Sequence, residues 1–251
     1  MKKLVAVLAI ISFNVHAAPD CRELPSCESL GYICSAEDCD ELKTLSCPFD
    51  LSKKVCFPKE KDCEVGDILY DDFKCRNSSC GHTPIAVIYD TENRLAISMS
   101  DLSKLQWCTV DNVFDYDIPE LENCTAHQSP IKGCGVDGKK NTQIIIDFGK
   151  ANNVSYPAAE YCYNLTWGDV PVGTWWLPSM EELYNIFNIY KTTPALENVL
   201  KKYNIFRDYV IPVSSTEYNY QFVYNFQSHN TALTMYYNKT GYYDVRCLIN
   251  Y

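Results

Sequence analysis

The sequence predicts an α+β domain preceded by a small disulfide-rich N-terminal module, and three observations predict it. Six of the fourteen cysteines, Cys21, Cys27, Cys34, Cys39, Cys47 and Cys56, crowd into the first part of the chain. Two mid-chain segments carry helical start signals followed by apolar residues at helical spacing. The rest of the chain after the cysteine cluster is rich in short runs of β-branched and aromatic residues, the composition of strands.

The 251-residue chain opens with MKKLVAVLAIISFNVHA. Lys2 and Lys3 followed by the apolar run Leu4 to Phe13 and the small-residue site Val15-His16-Ala17 read as a signal peptide, cleaved near Ala17. The apolar run is short for a bilayer span, and no second long apolar run follows, so no membrane insertion is expected. Asp20 beside Cys21 does not suit lipoprotein processing. The expected location is secreted, periplasmic or on the cell surface.

All fourteen cysteines lie beyond the signal peptide, an even number in an exported chain, which argues for disulfides. A segment as small as residues 18–62 buries too little apolar surface to fold on its core alone, so bridges would hold it. The charged stretch FPKEKD (57–62) closes this module, and residues 63–251 form the main domain. There is no paired C-x-x-C, and His82, His127 and His229 have no ligand spacing, so neither metal nor cofactor is expected. Removing the two lysines of the signal peptide takes the formal net charge from −10 to −12. That charge repels nucleic acid and other polyanions.

In the main domain, DILYDD (67–72) begins a strand-rich part, and PIAVIYD (84–90) and RLAISM (94–99) flank the turn-like TEN as a hairpin. Residues 101–140 read as loops. NTQIIIDFGK (141–150) and YPAAEYCYN (156–164) read as short helices, although Ile144-Ile145-Ile146 fits a strand equally. In LPSMEEL, Ser179 followed by Glu182 is a capping box. Leu183, Ile186, Phe187 and Tyr190 then recur on one helical face. Leu196, Val199, Leu200 and Tyr203 repeat the pattern after Thr193-Pro194, a cap and first-turn pair. QFVYNFQ (221–227), ALTMYYN (232–238) and GYYDVRCLI (241–249) read as strands, the last two separated by the turn NKTG.

The order Asn141-Thr-Gln, Ala158-Ala-Glu-Tyr-Cys162, Trp176-Leu-Pro-Ser-Met-Glu-Glu-Leu183, Ser214-Ser-Thr-Glu217 and Val245-Arg-Cys247 resembles the bacterial Lcl C-terminal domain family, related to the Fibrobacter major paralogous domain. The resemblance covers roughly residues 64–251. It implies a C-type-lectin-like fold: two main helices on a twisted antiparallel sheet, with long loops. It also implies a bridge between Cys162 and Cys247, since such folds tie a helix to the terminal strand. Val213 departs from the pattern, where the family commonly has an aromatic. The cysteine spacing of the N-terminal module resembles that of other exported bacterial proteins, a resemblance that implies no particular activity.

Site candidates follow from the aromatics. Neighbours in an extended segment point opposite ways, so Trp176 is assigned to the core and Trp175 is the candidate ligand platform. Of the 19 tyrosines, Tyr218, Tyr220, Tyr237 and Tyr243 are the candidates for an outward aromatic ladder, against a reading as cross-strand packing. Glu181 and Glu182 are explained by the helix start, where acidic residues suit the dipole. No catalytic constellation is present: no thiol has a pKa-lowering setting and no serine sits in G-x-S-x-G. The expectation is a non-enzymatic exported recognition or adhesion protein that binds glycan or a cell-surface protein. The alternatives are an enzyme with its site in the 100–140 loops, or a structural part of an envelope or pilus assembly.

Overall fold

The computed structural model describes residues 39–44, 54–58, 61–77, 79, 82–100, 103–110, 117–125, 133–205, 212–227 and 233–251. The chain divides into two units, residues 1–60 with 77–82, and residues 61–76 with 83–251. In the first, β1 (Cys39–Thr44) and β2 (Lys54–Pro58) pair antiparallel, with Leu42 opposite Cys56. The signal peptide and Cys21, Cys27, Cys34 and Cys47 lie outside the described residues, and of Cys39 and Cys56 only the backbone is described, so the bridging expected among these six cysteines lies outside as well.

The second unit is α+β with antiparallel sheets. Its elements in order are β3 (Ile68–Tyr70), β4 (Pro84–Asp90), β5 (Leu95–Ser98), β6 (Ser103–Gln106), α1 (Gly138–Asn152), α2 (Pro157–Tyr163), α3 (Met180–Thr192), α4 (Pro194–Lys202), β7 (Val213–Glu217), β8 (Phe222–Gln227), β9 (Leu233–Asn238), β10 (Tyr242–Val245) and β11 (Leu248–Asn250). A four-stranded sheet runs β11-β5-β4-β3, a three-stranded sheet runs β7-β8-β9, and β10 pairs with β6.

Helices cover both faces of the four-stranded sheet. Ala86, Ile88 and Ala96 join a core with Ile145 and Ile146 of α1 and Ala158, Ala159 and Cys162 of α2. The alternate residues Val87, Tyr89 and Ile97 join a second core with Leu183, Ile186 and Phe187 of α3 and Leu196 and Leu200 of α4. This is why PIAVIYD is a continuous apolar run and not an alternating one. The three-stranded sheet is divided the same way, with Val223 in the first core and Tyr224 and Phe226 in the second.

Local sequence explains where the helices start. Asp137 caps α1, its carboxylate accepting from Lys140 N at 2.9 Å, which begins the helix at Gly138 and settles the Ile144–Ile146 run as helical. Pro157 and Pro194 occupy the first positions of α2 and α4, where a missing N–H costs nothing. Ser179 and Glu182 form a reciprocal capping box on α3.

Two sequence expectations change. The stretch 241–249 is two strands, not one: β10 pairs with β6 and β11 with β5. The break falls at Arg246, which is buried and donates to the carbonyls of Ser100, Asn204 and Ile205. The turn at 238–241 forms, with Gly241 N donating to Asn238 O, yet it joins strands of different sheets. The 101–140 region, read as loops, also supplies β6.

Three disulfides lie among the described residues: Cys63–Cys75, Cys124–Cys134 and Cys162–Cys247. The last ties α2 to the segment entering β11. Among the described residues Cys108 is a buried free thiol. Among the described residues no helix is long and apolar enough to cross a membrane.

Candidate functional site

The segment before α3 enters the fold beside β11. Trp176 N donates to Leu248 O at 3.1 Å and its carbonyl accepts from Leu248 N at 2.9 Å. Its extended backbone turns the two indoles opposite ways, as alternation requires. Trp176 enters the core with α3 and α4, and Trp175 enters the core with α1 and α2. Trp175 is 1% exposed, so the expectation that it stands outward is corrected. The segment lies between two helical layers, and the ring that turns away from one core meets the other.

The residues after it form a hydrogen-bonded junction. Ser179 Oγ accepts from Glu182 N at 3.1 Å and donates to Val136 O at 2.7 Å. Met180 N donates to Thr216 Oγ1, which donates to Gly135 O. Ser215 N donates to Pro178 O at 2.7 Å, and Leu177 N donates to Thr142 Oγ1 at 2.9 Å. The Asn-Thr-Gln, Leu-Pro-Ser and Ser-Ser-Thr stretches therefore meet at one place and satisfy one another's polar groups. Glu182 sits within this junction, accepting from Ser179 N at 2.7 Å and from Trp176 Nε1 at 3.2 Å. Burial pushes its carboxyl up to about 7, against the hydrogen bonds from Ser179 and Trp176. Gly138 permits the approach: a Cβ there would lie 2.3 Å from Glu182 Oε2. These are the properties of a packed structural node.

Beside the node is a cavity of about 450 Å³, lined by Trp175, Trp176, Lys139, Lys140, Gln143 and Tyr163 among others. Lys139 Nζ lies 5.5 Å from the centre of the Trp176 ring, a cation–π distance. The two indoles thus wall this cavity from within the cores and present no open platform.

An aromatic group that includes the exposed Tyr220 and Tyr236 lies at one end of the β7-β8-β9 sheet. Tyr218 and Tyr236 stack with centroids 4.1 Å apart and planes 6° from parallel. Phe222 meets the edge of Tyr236 at 5.5 Å, and Tyr224 meets Tyr218 at 5.4 Å. Tyr236 is 50% exposed, and Tyr220, in the turn before β8, is 38% exposed. Behind them Tyr224 is buried and donates its hydroxyl to Cys124 O at 3.0 Å, so one side of the group is anchored and the other faces solvent.

The tyrosine candidates separate accordingly. Tyr218 and Tyr220 belong to or border this group. Tyr237 and Tyr243 do not: they are half-buried, face each other at 5.9 Å, and Tyr243 donates its hydroxyl to Asn238 O at 2.6 Å. In each Tyr-Tyr pair the outward member is the first, Tyr236 or Tyr242. Pattern alone could not choose the outward member, because that depends on which face of each sheet a helix covers. Phe222 and Tyr236 were missed for the same reason, although the Tyr224–Tyr236 cross-strand register follows from the spacing of QFVYNFQ and ALTMYYN.

No protein-family model matches the chain, and no curated protein matches it. Among solved structures, a fimbrial protein from Bacteroides ovatus is similar, with a TM-score of 0.53 and 13% sequence identity over 75% of this chain. The match spans about half of that protein, 49% of its length. At this identity the likeness is one of fold. The antiparallel α+β arrangement is thus similar over part of its length to the fold of a fimbrial protein.

Proposed function

We propose that this is an exported bacterial surface protein that recognises glycan or another surface protein, without catalysis, through the aromatic group Tyr218, Phe222 and Tyr236. The observation that carries the reading is the stacked Tyr218–Tyr236 pair, in which Tyr236 is exposed and the half-buried Tyr218 is held in place by the buried Tyr224. Fixed aromatic faces give a large contact area at little cost in side-chain entropy and suit sugar rings as well as protein partners. The disulfides fit a chain that matures outside the reducing cytoplasm.

The Lcl-type, C-type-lectin-like reading of residues 63–251 is part of the same proposal. It is supported by the Cys162–Cys247 bridge and by the way Leu-Pro-Ser-Met-Glu-Glu-Leu interlocks with Ser-Ser-Thr. The non-catalytic reading is supported by the occupied state of the buried Glu182 carboxyl, which serves a helix cap. A second reading, a structural subunit of a surface appendage, is favoured by the fold shared with a fimbrial protein.

A glycan array and a pull-down from bacterial and host surface extracts test the proposal. Selective capture that weakens when Tyr236 is replaced supports it. Capture of assembled appendage subunits alone would favour the second reading, and chemical turnover of a captured ligand would overturn both.

A further inference from the structure

A lysine and a glutamate meet in the interior at the same end of the β7-β8-β9 sheet. Lys239, one residue beyond β9, contacts Glu217, the last residue of β7, with side chains 1% and 0% exposed. The middle strand β8 lies between the two strands they end. The Trp107 ring covers Lys239 Nζ at 4.6 Å, and Trp107 N and Cys108 N both donate to Lys239 O, which fixes the lysine backbone. Glu217 is held as well, its carbonyl accepting from Cys124 N at 3.1 Å. The second carboxylate oxygen, Glu217 Oε2, is buried without a hydrogen-bond partner among the described residues.

That arrangement is a costly ion pair. Two charges removed from water need surrounding donors and acceptors to offset desolvation, and here one carboxylate oxygen has none. Burial pushes the Glu217 carboxyl up to about 7, against the opposing pull of Lys239, with Asp117 adding to the rise. A proton passing from the ammonium to the carboxylate leaves a neutral amine against a carboxylic acid, in a site closed to water.

We propose that Lys239 Nζ and the Glu217 side-chain carboxyl condense into an intramolecular amide bond. The neutral amine attacks Cδ, the Nζ–Cδ bond forms, and the Cδ–OH bond breaks. The hydroxyl leaves with a proton from Nζ as one water, and no oxidant or co-reactant is consumed. Reactants fixed in contact react at effective concentrations on the order of 10⁵ M or more. The product also replaces two buried charges with one neutral amide. The link ties the outer strands β7 and β9 across β8 at the residue before Tyr218, so it fixes the end of the sheet that carries the aromatic group. It does not depend on what that group binds.

The test is the mass of the purified full chain after reduction and denaturation, followed by peptide mapping. The expected result is a mass about 18 Da below that of the processed sequence, the loss of one water. A branched peptide joining the Lys239 and Glu217 segments should accompany it. Lys239→Arg should restore the full mass. Linear peptides carrying unmodified Lys239 and Glu217 as the dominant species would overturn the proposal. Because the wild-type map decides this alone, the inference stays testable if the Arg variant fails to fold.

Discussion

Trp176 donates its indole N–H to Glu182 at 3.2 Å while the same carboxyl accepts from the Ser179 amide at 2.7 Å. One acidic side chain thus closes the cap of α3 and satisfies a core tryptophan. Replacing it with Ala removes both acceptors and leaves a buried indole N–H unpaired. The expected cost is about 2–4 kcal/mol, the sum of a lost cap and an orphaned donor. Glu182→Gln keeps an amide oxygen as acceptor and should cost about 1 kcal/mol or less. Urea unfolding of the two variants beside the wild type checks the order.

Glu182 also makes stability depend on pH. Its carboxyl titrates at about 7 in the fold against an ordinary value of 4.5. Between those values the folded chain holds a proton that the unfolded chain has released, so this contribution is fully present below about 4.5 and is lost as pH rises through 7. The wild type should therefore gain stability relative to Glu182→Gln as pH falls from 7 to 4.5. Thermal melts of both proteins across that range measure the difference, and a flat difference would refute the assignment.

Gly138 gives a sharper packing test. Alanine is the better helix former by about 1 kcal/mol, so Gly138→Ala would stabilise a free helix. Here the added Cβ would lie 2.3 Å from Glu182 Oε2, 2.6 Å from Ser179 N and 2.8 Å from Leu177 O. Two of these neighbours are backbone and cannot swing away. The expected outcome is a net loss of about 1–3 kcal/mol, read from denaturant midpoints.

The Cys162–Cys247 bridge closes a sequence separation of 85 residues. In the chain-entropy account a loop of that size is worth about 4–5 kcal/mol. The double variant Cys162→Ala/Cys247→Ala should lose a comparable amount, whereas Cys63→Ala/Cys75→Ala, with a separation of 12, should lose less, about 3 kcal/mol. Calorimetry on the oxidised variants checks the ranking.

Much of the helical half was legible in the sequence because its signals are local. The capping box at Ser179 and the apolar spacing of Leu183, Ile186, Phe187 and Tyr190 lie within one helix, and all four of these side chains are buried in it. The strands were legible as segments but not as sheets. Nothing near Arg246 announces that its guanidinium is bound by three distant carbonyls, which splits one apparent strand into two. The site suffered most, since Trp175 was read as outward and the outward tyrosines were taken from the wrong side of each pair. Alternation says that neighbours diverge, but not whether solvent or a second core waits on the far side. Lys239 and Glu217, 22 residues apart, gave no local sign that they would meet.

The central claim is that recognition belongs to Tyr218 and Tyr236, while the Trp175–Glu182 stretch builds the fold. The most direct measurement is the affinity of the captured ligand for the wild type, Tyr218→Ala/Tyr236→Ala and Glu182→Gln, with folding of each checked by circular dichroism. The account predicts roughly a tenfold or greater loss for the tyrosine variant, the scale of a removed aromatic anchor, and near-wild-type affinity for Glu182→Gln. Unchanged affinity in the folded tyrosine variant would contradict it.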